Sequence, residues 1–242
     1  NRQTDIGVEF GVLQNRFYLS ADYYQKRTSD LLLNVPVPTL TGYSTALQNI
    51  GEILNKGLEF TVTSRNTVGA FKWTTDFNIS TNNISVQALG PDGSPIISRQ
   101  VTSASSPTHI TQIGSEPGSY YGYQVVGIYQ NQQDLDSSPV VLNGNGTVQS
   151  KPGQLKFADI NGDGVITTAD RTVLGSPFPD YTFGMTNSFN YKNFDFAFTL
   201  QGVQGFEVLN LARRYYGNYS GTYNVLRSTA DGWMSETDLG DG

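Results

Sequence analysis

No cysteine occurs among the 242 residues. That excludes a disulfide framework, a thiolate zinc site and thiol catalysis. It suits a barrel that has to cross an oxidising periplasm. Histidine is nearly absent as well. His109 is the only one, and it lies in a Ser/Thr/Pro stretch without a partnering Asp or Ser motif. It reads as a solvated loop residue, not as a member of a triad. The net charge is −6 and no basic stripe appears, so nucleic acid is not expected as a partner. No run of about 18 apolar residues exists, so no transmembrane helix is expected. Phosphate-binding glycine loops and the nucleophile elbow are missing. No motif nominates a facing carboxylate pair for glycoside hydrolysis. The chain is therefore expected not to be an enzyme. No initiator methionine or signal segment precedes Asn1, and Asp241-Gly242 is a poor finish for a barrel strand. A piece of a longer protein is expected.

Charge is scarce too. Charged residues make up 15% of the chain, against about 25% in soluble domains. A membrane barrel explains this, because its outer band excludes charge. A Gly/Ser/Thr-rich secreted sandwich explains it equally well. Aromatic residues, at 12%, and frequent Thr favour strands over helices.

What the chain does contain is alternation with a period of two, the mark of a strand with two unlike faces. Ile6, Val8, Phe10 and Val12 alternate with Asp5, Gly7, Glu9 and Gly11. After a turn at 14–16, Phe17, Leu19, Ala21 and Tyr23 alternate with Tyr18, Ser20, Asp22 and Tyr24. A second hairpin turns at 66–70 and a third at 191–193. The expected strands lie near 5–12, 17–33, 57–65, 71–81, 181–190 and 194–202. Glu9, Asp22, Lys26, Glu59, Lys72, Asp76 and Asp195 all fall on the polar face. A lipid-facing Lys or Arg near the midplane would cost ~2–4 kcal/mol. Turns within hairpins are short, whereas the links between them, 34–56 and 82–180, are long. Short turns at one end and long loops at the other characterise outer-membrane barrels. Aromatics such as Phe17, Tyr23, Trp73, Phe189 and Tyr191 sit near strand ends, as interfacial girdles require. The expected fold is all-β: a portion of an antiparallel transmembrane β-barrel, about six long strands in three hairpins, with long extracellular loops. The polar face would line a wet lumen or pack on a plug. The competing reading is a soluble secreted all-β carbohydrate-binding module whose apolar face is its core. A third is an accessory domain of an extracellular enzyme.

Within the link 82–180 lies a twelve-residue segment, 159–170, that matches a calcium loop. Oxygen ligands fall at its first, third and fifth positions, Asp159, Asn161 and Asp163. Gly164 supplies the sharp turn, Val165 offers a carbonyl, and Asp170 closes the loop where Glu is commoner. The candidate ligands are Asp159, Asn161, Asp163, Val165, Thr167 and Asp170. A bound Ca²⁺ would brace the loop rather than take part in chemistry. A short helix is expected after Thr167. The alternative is a turn-rich loop whose side-chain oxygens satisfy backbone N–H groups. Tyr120, Tyr121, Tyr123, Tyr129, Tyr215, Tyr216 and Tyr219 are candidates for stacking on sugar rings, with packing inside loops as the plainer reading. Arg213 and Arg214 are candidates for an acidic ligand group, with surface solvation as the plainer reading.

Several segments, in order, resemble the C-terminal half of SusC/RagA family transporters. They are Ala21-Asp22-Tyr23-Tyr24 with Thr28-Ser29-Asp30-Leu31-Leu32, Gln48-Asn49-Ile50-Gly51, and Asn55-Lys56-Gly57-Leu58-Glu59-Phe60. Gly118-Ser119-Tyr120-Tyr121-Gly122-Tyr123, Lys156-Phe157-Ala158-Asp159-Ile160-Asn161-Gly162-Asp163-Gly164 and Gly175-Ser176-Pro177-Phe178-Pro179-Asp180-Tyr181 follow. The resemblance implies a TonB-dependent barrel in the cell outer membrane, set in outer-membrane lipid. It implies import of glycan oligomers, or sometimes peptides, captured with a SusD-like lipoprotein. It also implies a plug and a TonB-contacting segment ahead of Asn1. It assigns no substrate-contacting residue.

Overall fold

A computed structural model describes residues 1–36, 45–98, 107–217, 224–227, 229 and 232–238. In chain order the strands are β1 (Arg2–Val12), β2 (Phe17–Pro36), β3 (Thr45–Val68), β4 (Phe71–Ala88), β5 (Ile96–Ser98), β6 (His109–Thr111), β7 (Ser119–Tyr123) and β8 (Val125–Ile128). After helix α1 (Gln132–Asp136) come β9 (Val140–Val141), β10 (Leu155–Phe157), β11 (Val165–Ile166), β12 (Arg171–Gly175), β13 (Tyr181–Tyr191) and β14 (Phe194–Gln204), then helix α2 (Arg213–Tyr216).

The chain divides into two compact units. The first comprises 1–98, 110–119 and 176–207. Its frame is a six-stranded antiparallel sheet in the order β1-β2-β3-β4-β13-β14. The three expected hairpins are present, and β4 pairs with β13 along its length although about ninety residues separate them in sequence. The sheet does not close on itself.

The register sorts the side chains. Directly paired residues share a face. One row runs Phe10, Leu19, Val62, Phe77, Met185, Leu200 across all six strands. The next runs Val8, Ala21, Phe60, Ile79, Phe183, Gly202. On the opposite face, Glu9, Ser20, Thr61, Asn78, Gly184 and Gln201 form one row, and Gly7, Asp22, Glu59, Ser80, Thr182 and Val203 another. A one-residue slip anywhere would invert these faces.

The apolar face is bare. Ile6 is 62% exposed, Phe10 61%, Phe194 79% and Phe196 64%. The buried apolar side chains of this unit are Leu54, Val86, Leu89 and Ile110. A soluble sandwich would bury such a face under a second sheet.

The strands run longer than the alternation marks. β3 begins at Thr45 rather than near 57, and β4 continues to Ala88. The link expected at 34–56 is therefore mostly strand. Only 37–44 separates β2 from β3, and those residues lie outside the described ones. Register shifts at Thr28/Leu31, Leu31/Leu32 and Glu52/Ile53 explain the concealment, because each shift breaks the two-residue period. Asp30 adopts φ 60° at the first of them. Turns are tighter than expected: Gly69-Ala70 joins β3 to β4, and Lys192-Asn193 joins β13 to β14.

Two glycines permit close approach on opposite faces. Gly57 pairs with Tyr24, whose ring occupies the space a Cβ would need. Tyr24 thereby reaches across to donate from Oη to Asn82 Oδ1 at 2.9 Å. Gly202 does the same for the ring of Phe183. Replacing Gly57 with Val should displace Tyr24 and destabilise the folded full-length protein by about 1–3 kcal/mol, the usual cost of overpacking. A lowered midpoint for heat-induced loss of compact electrophoretic migration would report it, and Tyr24→Ala in the same chain should recover part of the loss.

The second unit comprises 99–109, 120–175 and 208–242. The segment expected as the long loop 82–180 carries several short paired strands among its turns. β12 pairs with β7, β10 with β8, and β11 with β9. Tyr129, Leu135 and Ile166 are its buried apolar residues.

Candidate functional site

The wall itself is the first functional surface. From the hairpin-turn end to the row of Ile6, Tyr23, Leu58, Thr81 and Tyr181, the apolar face carries no charged side chain. Near the turns it is aromatic. Phe189 stacks against Phe71 at 6.1 Å, Trp73 at 5.8 Å, Phe196 at 6.0 Å and Phe198 at 6.2 Å. From Phe71 to Thr81 the strand advances about 34 Å, or roughly 25 Å once tilted by ~40°, the height of an outer-membrane apolar band.

One polar row crosses this face beside the girdle. Asn66 is the extra residue where the register shifts between Arg65 and Thr67. Ser64 Oγ donates to Asn66 Oδ1 at 2.7 Å, Asn66 Nδ2 to Thr75 Oγ1 at 2.8 Å, and Thr75 Oγ1 to Asn187 Oδ1 at 2.7 Å. Trp73 Nε1 completes it by donating to the same Asn187 oxygen at 2.9 Å. A buried amide on such a face is tolerable because its oxygen is saturated. Sequence reading missed this network, since Asn66 looked like turn and Asn187 like an ordinary strand position.

The polar face has acidic and neutral parts. Asp5, Glu9, Asp22, Glu59 and Asp76 lie on β1–β4. Short hydroxyl contacts hold some of them, as where Thr63 Oγ1 donates to Asp76 Oδ1 at 2.7 Å. On β13 and β14 the face is neutral from Thr182 to Ser188 and from Ala197 to Val203, with Asp195 near the turn. A recess of about 660 Å³ is lined there by Asn78, Thr182, Gly184, Thr186, Thr199 and Gln201, among others. Ser80 and Thr182 share a hydrogen bond at 2.9 Å, as do Thr186 and Thr199 at 2.9 Å.

The oxygen-rich loop is the second feature. Asp159 Oδ1 accepts from the Gly162 N–H at 2.7 Å and Oδ2 from the Gly164 N–H at 2.7 Å. Asn161 Oδ1 accepts from the Asp163 N–H at 2.9 Å, and Asp163 Oδ1 from the Val165 N–H at 2.8 Å. Asn161 Nδ2 also donates to Asp163 Oδ2 at 3.0 Å. Gly162 and Gly164 take φ 75° and 84°, which a side chain would oppose. Val165 lies in β11, beside Val140. The helix expected after Thr167 is one 3₁₀ turn, Thr168–Asp170, with Thr167 and Asp170 forming a capping box.

Asp170 is wholly buried. Its Oδ2 accepts from the Thr167 N–H at 2.7 Å and its Oδ1 from the Ile160 N–H at 3.0 Å. These donors, the Thr167 N–H first, hold its carboxyl below the usual carboxylate range. The structure thus brings Asp159, Asn161 and Asp163 together at the loop mouth, and sets Asp170 beneath the loop as a brace. Among the described residues no three His, Cys, Asp or Glu side chains converge as a metal cluster.

The tyrosines do not form one platform. Tyr129 is fully buried, and its Oη donates to the Pro139 carbonyl at 2.5 Å. Tyr120 packs against His109 at 5.3 Å, and Tyr123 against Phe157 at 5.4 Å under the Arg171 guanidinium. Tyr216 bonds to Asn210 at 3.0 Å. Tyr219 and the Arg214 side chain lie outside the described residues. His109 is not a loop residue. It sits half-buried in β6, with Nδ1 2.8 Å from Thr108 Oγ1, and burial lowers its pKa.

The apolar face and the alternating rows have a counterpart among known proteins. The family model for the TonB dependent receptor-like β-barrel matches residues 1–233. The chain belongs to the TonB-dependent receptor β-barrel family. Such barrels are outer-membrane proteins. TonB-dependent receptor P3 of Formosa agariphila is 38% identical over 239 residues, covering 96% of this chain and 23% of that protein. TonB-dependent receptor SusC of Bacteroides thetaiotaomicron is 31% identical over 231 residues, covering 93% of this chain and 20% of that protein. The structure of the RagAB peptide transporter shares the fold, with a TM-score of 0.76 and 19% identity over 99% of this chain and 25% of that one. This TonB-dependent receptor chain therefore spans between a fifth and a quarter of the length of these relatives.

The second unit contains one ion pair that its sequence does not advertise. Asn131 caps α1 by accepting the Asp134 N–H at 2.9 Å. Asp134 Oδ1 takes Lys156 Nζ at 2.9 Å, and Oδ2 takes the Gln130 N–H at 3.1 Å. Lys156 first, then Gln130, hold the Asp134 carboxyl below the usual range. A lowered folded-state pKa contributes stability that is present above the ordinary Asp value of about 3.9 and is lost as pH falls through the folded value. Rate-corrected amide protection of Tyr129 and Leu135 in the full-length protein should therefore stay level from neutral pH to about pH 4.5 and fall below about pH 4. Asp134→Asn should show the weaker protection at neutral pH and a flatter acid limb.

Proposed function

We propose that the whole protein is an outer-membrane importer of glycan oligomers or similar nutrients. The single observation that carries this is the register, which turns six alternating strands into an outer face with a charge-free apolar band and one hydrated inner face. The soluble binding-module reading and the enzyme-accessory reading are set aside, because the family assignment and the bare apolar face leave them no support. In this reading the cell outer membrane holds the wall, and the short turns face the periplasm. A SusD-like lipoprotein captures cargo at the opposite end, and TonB acts through a segment that this chain does not contain. The resemblance to SusC/RagA transporters and the identity to SusC support both partners. Glycans are favoured as cargo by the neutral hydroxyl- and amide-lined recess on the inner face, which matches ligands rich in hydroxyl groups. Peptide cargo is the alternative, favoured by the fold shared with a peptide transporter.

The two faces give the test. Phe77→Arg puts a cation in the lipid-facing band and should cost ~2–4 kcal/mol, reducing the protein recovered from the outer-membrane fraction several-fold. Asn78→Arg, one residue on, faces inward and should leave that yield near the parent's. Equal loss from both variants would sink the reading.

We further propose that the loop binds a divalent cation such as Ca²⁺, held by Asp159, Asn161, Asp163 and the Val165 carbonyl, with Thr167 and Asp170 completing or bracing the set. The spacing of the oxygens supports this, as do the Asp159 and Asp163 carboxylates, each of which keeps acceptor capacity beyond its N–H bonds. Calcium should protect residues 157–171 from proteolysis in the parent, and Asp159→Ala should abolish that protection. Protection that a chelator leaves unchanged in the parent would refute the proposal.

A further inference from the structure

We propose that Arg2, Arg27 and Lys56 form a binding site for the phosphate-bearing headgroup of an outer-leaflet lipid. The inference rests on the reading that the wall crosses a membrane, and names a ligand for its upper rim.

The apolar face ends abruptly. Its last row is Ile6, Tyr23, Leu58, Thr81 and Tyr181. The next row toward the long-link end is Thr4, Gln25, Lys56 and Asn83, and the row beyond is Arg2, Arg27, Leu54 and Ser85. Cations thus appear as soon as the apolar band stops. Each row is about 7 Å farther along the strand, or roughly 5 Å along the membrane normal after tilt. Lys56 therefore falls within the headgroup layer, about 5–7 Å thick on each side, and Arg2 and Arg27 start about 10 Å beyond the last apolar row, from where their long side chains can reach back to the headgroups.

The charges are not balanced within the chain. Arg2 stands directly opposite Arg27 in register, an arrangement of like charges that costs stability on its own. Glu52 meets Arg27 Nη1 at 3.3 Å. Among the described residues no carboxylate lies within ion-pair distance of Arg2 or Lys56. Three cations and one carboxylate leave an excess that a phosphate would neutralise. The shape agrees with the charge. A recess of about 260 Å³ is lined by Arg2, Thr4, Gln25 and Arg27. It offers two guanidinium forks, a hydroxyl and an amide, all able to donate to phosphate oxygens. Tyr23 Oη donates to Gln25 Oε1 at 3.3 Å, which leaves the Gln25 Nε2 amide donors for the ligand. The phenol and the apolar row below would lie against acyl chains while the recess holds the headgroup. Cationic side chains at this level also follow the rule by which basic clusters recognise anionic lipid.

The test uses the full-length protein extracted from its membrane in mild detergent. Native mass spectrometry would compare retention of bisphosphorylated lipid A with that of the same lipid after dephosphorylation. The parent should retain the phosphorylated form preferentially. The R2Q/R27Q/K56Q variant, still showing heat-modifiable migration, should retain it about tenfold less or weaker still. Equal retention of both lipids by the parent, or undiminished retention by the variant, would overturn the proposal. A change in oligomeric mass with lipid retention unaltered would assign the cluster to a carboxylate-bearing protein partner and would also overturn it. Failure of the parent to appear in the outer-membrane fraction would sink the membrane reading itself, ahead of any lipid comparison.

Discussion

Backbone hydrogen bonding in a solvent without water is the constraint on which the wall depends. A polar backbone group exposed to hydrocarbon costs several kcal/mol, so each strand must pair with its neighbours throughout the apolar band. That requirement gives six strands one continuous register. Across the apolar band the register in turn gathers the large apolar side chains on one face and keeps the charged ones on the other. The order β1-β2-β3-β4-β13-β14 means that the chain folds up and down, with each new strand added beside the last, and that β4 ends and β13 begins at the same end of the sheet. β1 and β14 each keep one unpaired edge within this chain, as expected of a wall that is part of a larger barrel.

The inner and outer faces use polar groups differently. On the outer face polar atoms are tolerated only where they saturate one another, as in the run from Ser64 through Asn66 and Thr75 to Asn187. On the inner face hydroxyls, amides and carboxylates are spread over every strand, and the acidic share falls from β1 toward β14. The second unit follows a third pattern. With three buried apolar residues among those described, it relies on local polar bonds: the Asn131 cap, the Asp134–Lys156 pair, and the N–H groups wrapped around Asp159 and Asp170. Such a unit gains order from many short-range contacts, each of about 1 kcal/mol.

Legibility in the sequence tracked the regularity of the local pattern. Wherever a strand kept its period of two, as from Phe71 to Ser80 or from Tyr181 to Asn190, both its existence and its facing could be read. Where an irregularity interrupts the period, near Glu52 or at Asn66, strand reads as link or turn. The oxygen-rich loop was readable as a turn motif because its oxygens act on neighbours within a few residues. The single-turn helix after Thr167 was readable for the same reason. The burial of Tyr129, the tilted packing of His109 on Tyr120 and the pairing of Asp134 with Lys156 were not, since each joins residues whose separation carries no periodic signal.

The sequence by itself determined that this is a β protein with one apolar and one polar face per strand, because alternation is a local property of an extended chain. It also determined the family, because ordered motifs survive without coordinates. Only the tertiary structure decided which residues share a row. The pairing of β4 with β13 depends on backbone hydrogen bonds between segments about ninety residues apart. Those bonds put Asn187 beside Thr75 and Trp73. Register between β1 and β2 likewise set Arg2 against Arg27 at the edge of the apolar band. Neither juxtaposition is a property of any single strand, so neither could be read before the strands were paired.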